Sequence, residues 1–293
     1  MAVTKRSYRA YNGELAPARW RFLVVTRYTF GQLMESKVFI GMLTMCLVPS
    51  FVGLLIIYLA NTEMMRILLN IQINRSIEIN ARYFYGWLQF QGWIAVLVTA
   101  YVGPNLVSSD LMNNALPLYL SRPLSRAEYV LGKSMVLGTL LSGITWIPGL
   151  LMFLMQASMA QGWVGSNWRI AGAIVLGSWI WIAFLALVSL ALSAWVRWRI
   201  VATGLTLAMF IIPAGMGETL NVAMKTQWGL LFNLIYVIQL IWSELFGDPM
   251  RWHLAYWDRQ LPVWMAWGVL LACCGIAIWM LNVRLRAREV VRG

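Results

Sequence analysis

The chain has 293 residues, 60% hydrophobic and only 12% charged, with a net charge of +12. Soluble domains carry roughly 25% charged residues, so this composition excludes a soluble enzyme with a polar shell. No polar segment interleaves Lys/Arg with aromatics over a length that would make a nucleic-acid groove, so the basic balance is assigned to membrane topology and not to nucleic acid.

Seven uncharged runs stand out: 38–62, 83–109, 134–168, 170–196, 200–217, 226–243 and 260–283. Each holds the ~18 apolar-rich residues that mark a membrane-helix candidate. The fold class expected is therefore all-α, a polytopic membrane protein. In chain order, 1–16 read as a basic arm, and Pro17 can open a helix. Residues 19–37 then form an amphipathic helix. Phe22, Leu23, Phe30, Leu33 and Met34 share one face, with Arg21, Gln32 and Glu35 opposite. Such a helix suits the headgroup layer. Its basic residues Arg19, Arg21 and Arg27 and its apolar Phe22, Phe30 and Leu33 are the candidate interfacial contacts. The long basic segment ahead of a 25-residue uncharged run differs from a cleaved signal peptide, so the first run is read as a retained span.

Six spans are expected at about 38–60, 87–108, 130–156, 170–195, 200–216 and 261–282, forming one transmembrane domain over 38–283. Residues 61–86 form a polar connection and 162–168 a short one. Residues 284–293 form a basic tail. With the N-terminus inside, inside segments hold sixteen of the 23 basic and five of the 11 acidic residues. The outside segments hold seven basic and six acidic residues. That asymmetry places both termini in the cytoplasm. A crossing at 226–243 would put Arg284, Arg286 and Arg288 outside. Pro213–Gly217 and the polar Asn233, Gln239 and Glu244 also weaken a lipid-exposed helix there. Region 217–260 is therefore read as re-entrant half-helices dipping from the outer face. Trp87, Trp163, Trp168, Trp195, Trp198, Trp252, Trp257 and Trp264 fall near span ends, as an interfacial belt. No internal repeat is visible, so an inverted-repeat transporter is not supported.

Catalytic motifs fail. Cys46, Cys273 and Cys274 lie in apolar runs with no metal or disulfide spacing, and His253 is the single histidine, too few for a two-ligand membrane haem. Gly132-Lys133-Ser134 resembles the end of a phosphate loop, but Ala127 stands where the first glycine belongs. The expected spans are essentially free of ionisable residues, which argues against a proton-coupled carrier or voltage sensor. Energy for transport would come from another chain.

The connection between spans two and three carries the most information. Ser108, Ser109 or Asp110 can cap a short helix, Pro117 and Pro123 limit it, and Ser125 with Glu128 has capping-box spacing at the start of span three. A short apolar helix beside Arg122 and Arg126 suits docking into a soluble partner. The segment LPLYLSRPLSRAEYVLGK, residues 116–133, resembles the cytoplasmic loop of ABC-2 family permeases, the membrane subunits of ABC exporters. The resemblance extends to a basic amphipathic helix before span one, six spans, and a broken apolar segment before span six. One departure is Asp110-Leu111-Met112-Asn113-Asn114, where many members carry an acidic-Gly-Thr segment.

The resemblance implies a dimeric exporter in a bacterial inner membrane. Two copies of a separate ATPase, holding ATP and Mg, would work on two permease subunits, identical or related, among membrane lipids. The chain itself would hold no cofactor, metal or catalytic residue. The ATPase would dock on 108–128, through Asp110, Leu111, Leu116, Pro117, Leu118, Tyr119, Arg122, Pro123, Ser125 and Arg126. Two other classes stay open. A lipid-acting membrane enzyme would use Glu218, Glu244, Asp248, His253 and Asp258 of the outer region. A membrane anchor or scaffold would transport nothing.

Overall fold

Uncharged stretches of 18 or more residues cannot leave backbone groups unpaired in lipid, and a helix pairs them within one segment. The computed structural model describes residues 21–62, 78–113, 126–196, 198–247 and 261–284, and their regular structure is entirely helical. The helices are α1 (Arg21–Met34), α2 (Lys37–Asn61), α3 (Ala81–Met112), α4 (Arg126–Ile144), α5 (Trp146–Met159), α6 (Trp163–Trp195), α7 (Arg199–Met224), α8 (Leu234–Phe246) and α9 (Val263–Arg284), with a 3-10 turn at Trp228–Phe232. Six segments are long and apolar enough to cross a membrane: α2, α3, α4 with α5, α6, α7 and α9.

Local chemistry sets several of the ends. Ser36 caps α2, its hydroxyl accepting from Phe39 N–H at 3.4 Å. Asn80 accepts from Arg82 N–H at 3.0 Å as α3 opens. Gly162, at φ +77°, turns the chain into α6, and a Cβ there would be strained.

Several boundaries differ from those expected. The α3 helix starts at Ala81, inside the supposed polar connection. Residues 63–77 of that connection lie outside the described residues. The third span is two helices broken at Thr145, whose φ and ψ are −110° and −95°. Pro148 has no N–H for Ile144, and the Thr145 hydroxyl folds back to Leu141 C=O at 2.7 Å. The α6 helix begins at Trp163, so the second connection shrinks to a turn. The α7 helix runs through Pro213 and Gly217 to Met224, eight residues beyond its expected end. A membrane helix tolerates Pro where neighbours satisfy the freed carbonyl.

The α6 helix is central, packing against α3, α4, α5, α7, α8 and α9. Two-thirds of the most apolar windows of α3 and α6 is buried, against about a fifth for α2, α7 and α9. Trp87 belongs to this core and not to an interfacial belt. Trp168, Trp198 and Trp264 are exposed, and Trp252 and Trp257 lie outside the described residues.

The chain between α7 and α9 folds back on the bundle. The 3-10 turn lies against α7, with the Gly217 and Gly229 backbones in direct contact and Asn221 Oδ1 accepting from Gly229 N–H at 2.8 Å. Asn233 then caps α8 by accepting from Ile235 and Tyr236 N–H, both 3.1 Å. The α8 helix has 13 residues. At 1.5 Å each that is about 20 Å, short of the ~30 Å hydrocarbon core. It is nonetheless wedged inside. Trp242 fills the gap left by Gly92 and Gly177 and donates to Gly177 C=O at 2.9 Å. Arg169 of α6 closes the other end, donating to Leu245 C=O at 3.0 Å and Glu244 C=O at 2.7 Å. Leu245 C=O is one that the helix end leaves free, Glu244 C=O also accepts from Gly247 N–H at 3.1 Å, and Gly247 at φ +68° leaves room for the guanidinium.

Candidate docking site at one end of the bundle

Lys133 lies in α4 among apolar residues, where an unpaired ammonium would be costly. Its Nζ meets Asp110 Oδ2 of α3 at 2.9 Å, with side-chain exposures of 5% and 14%. Tyr129, one turn earlier on α4, donates its hydroxyl to the same carboxylate oxygen at 2.8 Å. The ammonium also lies 5.9 Å from the Tyr129 ring centre. One carboxylate therefore holds two groups of the next helix, and α3 and α4 are tied within two turns of where the intervening segment leaves and returns.

A second tie brings in α1. Thr26 Oγ1 donates to Gly132 C=O at 2.8 Å. A Cβ at Gly132 would come within 2.8 Å of the Phe22 carbonyl, so only glycine permits this approach. Phe30, Leu33 and Met34 pack against the bundle core. Leu23, placed on the same face by the helical wheel, is exposed with Val24, Arg27 and Tyr28. The wheel is off by about one residue because a helical side chain leans toward the N-terminus and the contact is with a crossing helix.

The sequence-derived site residues distribute unevenly. Asp110 is engaged in the internal ion pair. Leu111 is the penultimate residue of α3, Arg126 begins α4 and Arg21 begins α1, and the side chains of these three are not described. Leu116, Pro117, Leu118, Tyr119, Arg122, Pro123, Ser125 and Arg19 lie outside the described residues, as do Asp248, His253 and Asp258. Glu128 sits in the first turn of α4, where a carboxylate favours the helix dipole. Gly132-Lys133-Ser134 is mid-helix, with its lysine ion-paired, and does not form a phosphate loop. Among the described residues no three of His, Cys, Asp and Glu gather as a metal site.

Sequence reasoning missed the Lys133–Asp110–Tyr129 group. A signal for it existed: a lone lysine entering an apolar run requires a carboxylate at the same depth, and only Asp110 and Glu128 flank that connection.

The same end carries two further ties. Arg284 of α9 donates from Nε to Ala194 C=O at 3.2 Å, at the end of α6, with its guanidinium 5.8 Å from the Trp195 ring centre. Arg199 of α7 lies 5.4 Å from the Tyr101 ring centre. Compared with known proteins, the chain matches no family model, and no curated protein is significantly similar to it.

Proposed function

We propose that this chain is the permease subunit of an ATP-driven exporter of the ABC-2 type, with the α1 end of the bundle in the cytoplasm. The observation that carries the reading is the bracket around 111–128. An ion pair and a tyrosine hydroxyl clamp the two ends of this segment, and α1 is fastened to the same helix one residue away. A segment held at both roots can pass a push from a soluble partner into α3 and α4, where a free loop would absorb it. The charge asymmetry supports the orientation, and the ABC-2-like sequence 116–133 supports the partner class.

On this reading two ATPase chains bind beneath two permease subunits. ATP binding, with Mg on the ATPase, draws those chains together and moves the 108–128 segments. Rigid-body displacement of the bundles then opens the seam between them to the outside. The short α8, sealed by Trp242 and Arg169, is the re-entrant element of the outer face, too short to cross and too buried to be an external loop. The membrane is the bacterial inner membrane, and the chemistry of ATP hydrolysis stays on the partner.

Purification of the native complex in mild detergent, with mass spectrometry of its components, tests this. An ATPase of separate sequence in equal proportion to the permease is expected. Its absence, after controls for loss in detergent, overturns the reading. Arg126→Glu is expected to lower recovery of the ATPase while membrane insertion stays intact, and unchanged co-purification removes Arg126 from the docking surface.

A further inference from the structure

The α3 helix contains Pro104, which has no N–H to offer Ala100 C=O, so the backbone ladder has a gap about two turns before Asp110. One turn further on, a side chain from α6 enters the ladder. Ser193 Oγ accepts from Ser108 N–H at 2.9 Å and donates to Pro104 C=O at 2.9 Å. One hydroxyl thus sits across the rung that Pro104 and Ser108 would close, and such an insertion is an established cause of a helix bend. The Ser108 hydroxyl also reaches Pro104 C=O. Next to it, Gly103 is pressed against Ser189, one turn before Ser193 on α6, so no side chain fits there. Ser108, Ser189 and Ser193 are all fully buried.

We propose that Ser193 is a detachable latch at a weak point of α3, where the rung lost at Pro104 is followed by one that a side chain enters. Releasing it lets the last two turns of α3 swing against α6. Among the described residues the two hydroxyl bonds are the polar ties between α6 and this part of α3; beyond them α3 is tied sideways, to α4 through Asp110–Lys133. Because Thr26 binds Gly132, α1 and the start of α4 follow the end of α3 as one piece. The inference deepens the permease reading, since this is the piece a docked ATPase would push, and it names where that push is converted into bending.

The test uses the chain alone, in nanodiscs, so it succeeds or fails whether or not an ATPase partner exists. Cys46, Cys273 and Cys274 are replaced by alanine, and spin labels are attached at Met112→Cys and Trp198→Cys, both exposed positions. Pulsed dipolar spectroscopy then reads the separation of the α3 end from the start of α7, three residues beyond α6. In the parent a single dominant separation is expected. Ser193→Ala is expected to add a second one, its population rising about threefold for each hydrogen bond lost. The same substitution in a Pro104→Ala background, where the rung to Ala100 C=O one turn earlier is restored, is expected to add a smaller one. Pro104→Ala alone is expected to narrow the distribution, a check that remains if Ser193→Ala does not fold. An unchanged distribution in Ser193→Ala overturns the latch. So does equal broadening in both backgrounds, which would make Ser193 an ordinary packing residue, and so does a broader distribution in Pro104→Ala.

Discussion

The α2 and α3 helices cross the bundle side by side and differ in an instructive way. The most apolar window of α2 has a mean hydropathy of 2.3 and is 22% buried, while that of α3 has 1.3 and is 67% buried. In water the more hydrophobic helix would be the inner one. In lipid the order reverses, because tails receive apolar side chains as readily as a protein core does, and helices associate through small residues and hydrogen bonds. The α3 helix supplies both. Gly92 and Gly103 admit Trp242 and Ser189, and Gln91, Ser108 and Asp110 bond across to α2, α6 and α4. The α2 helix turns Val38, Met45 and Phe51 outward and is held by a few polar contacts.

The largest effect expected from that contrast is at the ion pair. Lys133→Met leaves the Asp110 carboxylate buried without its cation, and breaking such a pair costs about 3–5 kcal/mol. Thermal unfolding in detergent is expected to fall sharply for Lys133→Met and to recover in the double variant Lys133→Met with Asp110→Leu, in which no charge is left alone. No recovery in the double variant would mean that the pair holds the connection in place through its specific bonds and not through charge balance. Next in size is Gly177→Ala. The added Cβ would lie 2.9 Å from Trp242 Cδ1. Overpacking of this kind costs roughly 1–3 kcal/mol. Partial rescue by Trp242→Phe is expected, because the smaller ring restores space.

How far the sequence foretells these features depends on their range. Hydropathy windows locate all six segments long and apolar enough to cross, because length and absence of charge are local properties. The break at Thr145 is not visible, since 134–168 is uniformly uncharged and only Pro148 hints at it. Pro213 misleads in the opposite direction, punctuating the sequence while the helix continues to Met224. The docking reading rests on 108–128, yet the residues that fasten that segment in the structure are Asp110 and Lys133, 23 positions apart, together with Thr26. Pairs of that separation follow from helix packing, and their one sign in the sequence is a lone lysine inside an apolar run.

The smallest effects are those that test α2 itself. Gln91 Nε2 donates to Cys46 C=O at 2.9 Å. Hydrogen bonds between membrane helices average about 0.6 kcal/mol, so Gln91→Leu is expected to lower stability by about that amount. Phe51 is 65% exposed on the outward face of the same helix. Phe51→Leu exchanges one lipid-compatible side chain for another, and a change within about 0.5 kcal/mol is expected. A larger loss that grows as the protein is diluted would show that this face is covered by a second chain and that lipid is not its natural neighbour. The pair of substitutions separates the two sides of one helix. Loss at Gln91 with none at Phe51 assigns the cohesion of α2 to its inward side, as the comparison with α3 requires.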